Sequence, residues 1–522
     1  MKLTSLTIQD LQRPETISLI LGYISAVALA LGAGYLVGHQ SWTMLTMVAV
    51  IVVSVTAAVW LQKRVWILIV FGWLLTGKLL ALPLPFSVRD LLTLLALFSY
   101  VGHRAVSHQP LRVGWNLIDG FLLLNFVYIG FDYLLHPVGL VALGSEVVGG
   151  KPYLSMAFAL VAYYLLVRLP DSVKPVSRIP YYWLAAATIV SGLQLLVTIF
   201  PPMTRFVYGI YTDVDTAAYV NALTGKEVLV RMKGLSTYGL YVVLVLCSYY
   251  PVETLFDPRR GRFYAALSGG VCVLLSGFRN SLLWIMAAFV ISGWLQRRWR
   301  EMAAAAAAAI LLLAVVIVGQ GRLYDLPNYV QRTLCMLPGQ WNPDVVLEAE
   351  GSSEWRFQLW KDIIDRHLIK DWWFGDGFGT DIRTLKEMAL MGGMQGGYYD
   401  FVIETGAYHS GPLTAIRYVG VFGLILLYML TITGAVYSYK TVQRCRGTPL
   451  FPVAVFVAMQ LIWDPVHYAF VFGGYNSYLP DVIMMLGILR LLMRFCDQGL
   501  AVPTASTNAA PAAVSLAAGA PA

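Results

Sequence analysis

The sequence predicts an all-α, polytopic membrane protein of about fourteen transmembrane helices, twelve being the alternative count, with a large, partly helical loop on one side. Three observations predict it. Only 13% of the 522 residues are charged, about half the fraction usual in soluble domains, and the mean hydropathy is +0.67. The apolar runs are many, and several approach the roughly 20 residues that a bilayer-spanning helix needs. Basic residues gather in alternate loops, the pattern of a chain threaded repeatedly through a bilayer.

In chain order the expected spans are 17–38, 42–61, 65–83, 88–102, 115–135, 154–168 and 180–200, which make up an N-terminal transmembrane region, 1–200. Pro83 and Pro85 interrupt 65–102 and are the reason for the lower count. A first outside loop, 201–237, follows. The region 238–320 holds spans at 236–252, 263–278, 280–296 and 302–319, and a large outside loop occupies 321–411. Spans 412–437, 450–472 and 478–495 form a C-terminal region, 412–496, and a tail, 497–522, ends the chain. The seven alanines at 303–309 read as a close-packing helix surface. The tail is rich in Ala, Pro, Ser and Thr and reads as disordered. The first sixteen residues are polar and of mixed charge, and no small-residue cleavage site follows the first apolar run, so no cleavable signal peptide is expected.

Charge sets the expected orientation. Lys63 and Arg64, Arg104 and Arg112, Arg168 with Lys174 and Arg178, Arg259 to Arg262, Arg297 to Arg300, and Lys440 with Arg444 and Arg446 fall on one side. The intervening short loops carry little beyond Lys78, Arg89 and Lys151. The rule that positive loops stay inside places both termini in the cytoplasm. The net charge of +8 therefore reflects topology and gives no reason to expect nucleic acid. The five cysteines form no CxxC pair, and Cys335 alone lies in an outside loop, so no disulfide framework is implied.

Loops near ninety residues long carry internal order when they are functional. Here Ser352-Ser353-Glu354 reads as a helix start. Trp355, Leu359, Ile363 and His367 follow at helical spacing, with Lys361, Asp362, Asp365 and Arg366 on the other side. We read 353–370 as an amphipathic helix lying on the membrane surface. The next stretch, Asp-Trp-Trp-Phe-Gly-Asp-Gly-Phe-Gly (371–379), is a glycine-punctuated turn with interfacial aromatics.

Arg279 is the residue that most demands an explanation. It interrupts an apolar run, 263–295, that is too long for one span and slightly short for two. Two helices joined by a tight turn at Ser276-Gly277 solve this and leave Arg279 at the turn, below the membrane surface. A cation there costs roughly 2.5–3.5 kcal/mol unless partnered. Arg279 is either an arginine that snorkels to the interface or a cation that meets an anionic ligand. Arg231, Lys233, Arg356 and His409 belong to the same expected face. Arg231 and Lys233 are either interfacial anchors or anion contacts. Arg356 either complements Glu354 or Asp362 or joins the ligand site. His409 is either a helix-start histidine with a local hydrogen bond or a proton acceptor near neutral pH. Three arginines on one membrane face suit a diphosphate, because each guanidinium fork takes a pair of phosphate oxygens and stays charged. His367, Arg205, Arg383 and Arg417 are weaker candidates. Asp464 and His467 read as a hydrogen-bonded pair within a span.

Neither HExxH, a Walker A sequence nor a dinucleotide fingerprint occurs, and no acids stand at metal-ligand spacing. The site is therefore read as metal-free and without a cofactor.

Together these features resemble the bacterial O-antigen ligase and O-antigen polymerase superfamily of polytopic C-type glycosyltransferases. Leu-Leu-Ser-Gly-Phe-Arg-Asn-Ser-Leu-Leu (274–283) is similar to the family's Ser-Arg-containing segment. Glu-Trp-Arg-Phe-Gln-Leu-Trp (354–360) is similar to its Arg-x-x-x-Trp helix, and Trp-Trp-Phe-Gly-Asp-Gly-Phe-Gly (372–379) to its Gly-x-Gly-x-Gly turn. Tyr408-His409 ahead of Val-Gly-Val-Phe-Gly-Leu (419–424) resembles its His…Gly-x-x-Gly-Leu stretch, with Ser410 where the family often has Asn. Arg-Met-Lys-Gly (231–234) resembles an Arg-x-x-Gly stretch ahead of a span. The resemblance spans about 230–430 and implies a multi-pass protein of the bacterial inner membrane, with both long loops periplasmic. It implies a donor glycan on a polyprenyl (undecaprenyl) diphosphate and a hydroxyl acceptor on a glycan, on lipopolysaccharide lipid A-core or on another molecule. It further implies an inverting, metal-independent transfer in which His409 is the base. Arg279 and Arg356 would be catalytic and diphosphate-binding, and Arg231 and Lys233 would add anion contacts. The competing reading is a transporter or flippase of a lipid-linked saccharide. That class more often shows internal repeats and broken helices meeting at the midplane, and the sequence has no repeat.

Overall fold

The fold is built almost entirely from helices that follow the apolar runs. It is seen in a computed structural model that describes residues 64–80, 86–106, 114–140, 145, 147–224, 231–381, 383–384 and 397–499, with positions 52, 56 and 61. The expected spans 17–38 and 42–61 and the tail beyond 499 lie outside the described residues, apart from those isolated positions.

The main helices are α1 (Trp66–Gly72), α2 (Val88–Val106), α3 (Leu117–Leu135), α4 (Gly150–Arg168), α5 (Ile179–Ile199), α6 (Lys233–Tyr249), α7 (Gly261–Leu275), α8 (Arg279–Leu295) and α9 (Trp299–Gly319). They continue with α10 (Asn328–Leu334), α11 (Pro343–Asp365), α12 (Gly397–Glu404), α13 (Gly411–Cys445), α14 (Phe451–Phe470) and α15 (Tyr475–Asp497). Local sequence sets several starts. Asn116 caps α3 in a reciprocal box with Asp119, and a proline occupies the first turn of α5, α11, α13 and α14, where its missing N–H costs nothing. Six helices, α3, α4, α5, α9, α13 and α14, are long and apolar enough to cross a membrane. The chain is a multi-pass membrane protein. Its one sheet among the described residues is a two-residue antiparallel pair, β1 (Val147–Val148) with β2 (Thr380–Asp381).

One continuous apolar core runs through the bundle. The tightest pairs are α13 with α14, α15 with α4, and α6 with α7 and α5. At the face opposite the long loops, Arg490 of α15 forks onto Asp119 at 2.7 Å. Cys445 and Cys496, at the ends of α13 and α15, bring their sulfurs within 3.2 Å. Sequence spacing gave no sign of that approach.

Three expectations need correction. Among the described residues of the run 65–83, the helix covers only Trp66–Gly72. Beyond Gly72 the backbone pairs sideways with the first long loop, Leu80 N–H to the Ile210 carbonyl and Thr212 N–H to the Lys78 carbonyl, so its polar groups are satisfied without a helix. The alanines 303–309 pack against little: nearly all are exposed on α9, whose main neighbours are α8 and the short turn Val252–Leu255. The surface helix expected over 353–370 is α11, which starts ten residues earlier. Asn342 caps it by accepting the Asp344 N–H, and Pro343 opens it. Ser352 and Ser353 are interior positions, not a cap. The helix stops where His367 takes a left-handed conformation, φ +51.

The feature that positions the candidate site is a break in α13. At Gly420 the backbone leaves the helix, φ +66 and ψ −178, and strands peptide groups that a membrane helix must satisfy. The 371–379 turn enters this break. Val421 and Phe422 donate to the carbonyls of Trp372 and Trp373, while Asp376 and Gly377 donate to the carbonyls of Arg417 and Tyr418. Gly375 (φ +87) and Gly377 (φ +71) let the turn come this close. Asp376 closes it by accepting from the Lys370 and Asp371 N–H groups and pairing with Arg417 at 3.3 Å.

A methyl on Gly420 would collide with the Trp373 carbonyl and demand a left-handed backbone as well. Gly420→Ala should destabilise the protein by about 1–3 kcal/mol, read as a lower unfolding temperature in detergent. Gly192→Ala, in open space on α5, should be neutral or slightly stabilising and serves as the control.

Candidate active site

The turn between α7 and α8 forms as its sequence suggests. Ser276 ends α7, Gly277 is left-handed at φ +74, Phe278 is extended, and Arg279 is the first residue of α8. The Ser276 hydroxyl accepts the Phe278 N–H at 3.2 Å, and the Ser276 carbonyl accepts the Met232 N–H at 3.1 Å. Arg231 is thereby set beside the turn, its guanidinium 5.9 Å from the Phe278 ring.

Arg332 of α10, a residue that sequence reasoning missed, holds the turn from the other side. It is only 2% exposed. Its Nη1 donates to the Gly277 carbonyl at 2.7 Å, and its Nε donates to both carboxylate oxygens of Glu348 on α11 at 3.1 and 3.2 Å. Glu348 also faces Arg231 at 3.9 Å. Arg279 donates through Nη2 to the Ala349 carbonyl at 3.2 Å. One helix, α11, therefore collects Arg231, Arg279 and Arg332 at positions 348–349 and carries Arg356 two turns further on.

The charges feel one another. Burial first, then Arg332, opposes the charge on Arg231, with Arg356 and Arg279 adding to the opposition and Glu348 offsetting it. The guanidiniums stay protonated regardless. Two of these cations, Arg231 and Arg332, share the one glutamate, and the like charges of the cluster oppose one another.

His409 lies against the middle of α11. Its ring sits edge-on to Trp355 at 5.7 Å and 5.6 Å from Phe472 in the α14–α15 connection. Its backbone is left-handed, φ +54, which costs an L-residue roughly 1–2 kcal/mol. The neighbours enforce this. Tyr408 is buried and its carbonyl accepts the Trp360 indole N–H at 2.8 Å. Gly411 abuts the Tyr468 backbone with no room for a side chain. Burial first, then the Arg356 charge, holds the His409 pKa below the usual histidine value, which keeps the ring neutral and ready to accept a proton. Arg356 thus lies within electrostatic reach of both Arg231 and His409 and links the cluster to the imidazole.

The remaining candidates lie elsewhere. Lys233 pairs with Asp213 at 3.2 Å. Arg417 pins the glycine turn, Arg205 is exposed on the short helix Met203–Ile210, and Arg383 is exposed after β2. His367 terminates α11. The expected Asp464–His467 hydrogen bond is not formed among the described residues; His467 Nε2 instead donates to Asn280 Oδ1 at 2.7 Å. No three of His, Cys, Asp and Glu cluster among the described residues in a way that could hold a metal ion. No sequence motif pointed to Arg332; its burial in α10 is what reveals it.

The molecule is thus a multi-pass membrane protein with a cation cluster and a histidine on its loop face. Residues 263–428 match the family model described as O-antigen ligase, which supports membership of the O-antigen ligase and polymerase superfamily. The match takes in just under a third of the chain. It contains Arg279, Arg332, Arg356 and His409, and leaves Arg231 outside. No curated protein matches the chain.

Two stability outcomes follow from this geometry. His409→Gly should unfold about 1 kcal/mol later than His409→Ala, since glycine alone of the two accepts φ +54 freely; chemical denaturation in detergent measures the difference. Arg332→Ala should cost about 3 kcal/mol or more by leaving the Gly277 carbonyl and Glu348 unpaired, and the same assay reads it.

Proposed function

We propose that this protein is an inverting, metal-independent glycosyltransferase. It moves a glycan from a polyprenyl-diphosphate donor to an acceptor hydroxyl, as an O-antigen ligase or a polysaccharide polymerase. The loop face is then periplasmic, the membrane is the bacterial inner membrane, and both termini are cytoplasmic. The observation that supports the reading is the gathering of Arg231 and Arg279 on α11 with Arg356, which lies within electrostatic reach of both Arg231 and His409.

The roles follow from charge. A lipid diphosphate is a good leaving group and needs no proton as the anomeric bond breaks. It needs its growing negative charge met by donors already in place. Arg279 and Arg356 supply these, with Arg231 as a third anion contact. Arg332 acts through Gly277 and Glu348 as a positioning residue, and so does Glu348. Lys233, which faces Asp213, is at most a peripheral attraction. The acceptor hydroxyl is a poor nucleophile, and His409 takes its proton as the oxygen attacks the anomeric carbon. A single displacement inverts that centre. Transport of the lipid-linked saccharide gains no support from a cation cluster confined to one face.

Purified protein with a defined lipid-linked donor tests this directly. His409→Ala should lower turnover roughly 10²–10⁴-fold. Arg279→Lys should lose most activity, because an ammonium keeps the charge without the fork. Normal turnover in either variant removes that residue from the mechanism. Transfer should survive EDTA; loss restored by one divalent ion would sink the metal-free mechanism.

The pH profile is a separate check. The base works when neutral, so activity holds above the His409 pKa and falls as pH drops through it. The acid limb of kcat/KM should lie below about 6.5, the ordinary histidine value. Arg356→Met removes a charge that disfavours the imidazolium, so its residual activity should show an acid limb at higher pH.

A further inference from the structure

Beneath the turn, on the other side of α8, lies a half-open cavity of about 220 Å³ lined by α5, α6, α8, α14, α15 and the end of α1. Its walls include Trp73, Trp183, Tyr241 and Trp284. Its polar groups fall at helical spacing on two helices: Gln460, Asp464 and His467 on α14, and Tyr478 and Asp481 on α15. Most of them have capacity to spare. Asp481 spends one oxygen on the Trp73 indole N–H at 2.8 Å and has Arg89 at 3.8 Å. Asp464 has no hydrogen bond to any described residue, the Tyr478 hydroxyl is buried without a partner, and Gln460 spends only its N–H on the Phe456 carbonyl.

The Asp481 side chain is largely exposed and the buried Tyr478 hydroxyl lacks a partner, so the walls offer a polar guest unused hydrogen-bonding capacity. The guest must donate to two carboxylates and an amide oxygen, accept from a phenol, and lie against aromatic faces. A sugar ring fits that description. Each hydroxyl both donates and accepts, and the C–H face packs on indole. Aromatic walls with a few placed polar groups are the usual make-up of a small-molecule site.

We propose that this cavity is the subsite for the acceptor's sugar, an inference that rests on the glycosyl-transfer reading above. Arg279 and Asn280 are consecutive at the start of α8 and point about 100° apart. Arg279 faces α11 and the cation cluster, whereas Asn280 faces the cavity through His467. The helix start therefore divides a diphosphate side from a sugar side. Phe472 connects the two: its backbone N–H donates to the His467 carbonyl at 3.1 Å, and its ring packs on His409.

Full-length protein in detergent tests this by tryptophan fluorescence, since three indoles line the cavity. The probes are the methyl glycosides of glucose, galactose and N-acetylglucosamine, with NaCl, KCl and choline chloride alongside. At least one glycoside should give a saturable spectral change in the wild type and in His409→Ala. Asp464→Asn and Asp481→Asn should weaken it about tenfold or more, with unfolding temperatures close to the wild type. A response to the cations and to none of the glycosides, or no response at all, overturns the proposal. In transfer assays the same two variants should raise the acceptor KM about tenfold and leave the donor KM unchanged; the reverse split overturns the acceptor assignment. Failure of wild-type transfer would sink the glycosyltransferase reading and leave the sugar titration standing.

Discussion

The candidate site depends on a helix that is broken and mended. At Gly420, α13 gives up its own hydrogen bonds, and the 371–379 turn supplies four replacements from outside the helix. In a membrane protein this exchange has to be nearly complete, because no water reaches stranded peptide groups in the hydrocarbon. The result couples two distant parts of the chain as firmly as a strand pair would. It fixes where α11 ends, since the turn begins six residues after Asp365. It also fixes where His409 stands, since α13 begins at Gly411 and Tyr408 is trapped behind it.

α11 then runs between the arginine cluster and His409. At one end it offers Glu348 and the Ala349 carbonyl to three arginines from different elements. Two turns along it presents Trp355 to the His409 ring and carries Arg356. Cations brought together this way repel one another, and burial adds to the cost. Glu348 offsets part of that for Arg231 and Arg332. Such preorganisation is what charge stabilisation in a transition state requires, since the donors need not rearrange when the charge appears. The strained backbone of His409 belongs to the same account. An L-residue persists in the left-handed region when its surroundings leave no alternative, and buried Tyr408 on one side with Gly411 against α14 on the other leave none.

Much of this was legible in the sequence. Hydropathy and loop charge specify an all-α membrane bundle, because burial of apolar surface in lipid depends on composition and period alone. The Ser276-Gly277 turn was readable because one apolar run was too long for one helix and too short for two. The glycine turn and the approximate place of α11 were readable from spacing. The start of α11 was misplaced because two serines imitate a cap, while the true cap, Asn342 with Pro343, stands ten residues earlier in a stretch without apolar periodicity. The span at 65–83 was misjudged because a sideways pairing with the first long loop satisfies its backbone as well as a helix would. The alanine run looked like a packing surface because small side chains permit close approach, but permission does not supply a partner.

The sequence by itself determined the class of the protein and the residues able to bear charge at its loop face: Arg231, Arg279, Arg356 and His409. Tertiary structure decided what each of them meets. It turned Lys233 toward Asp213, gave Arg332 a role that no motif announced, and separated His467 from Asp464 to join it to Asn280. It also opened a polar cavity between helices far apart in sequence. The physical reason is the range of the interactions. Helix period and hydropathy are local and survive in a string of letters. Ion pairs, hydrogen bonds between elements and cavity walls depend on which helices become neighbours, and only the packed bundle decides that.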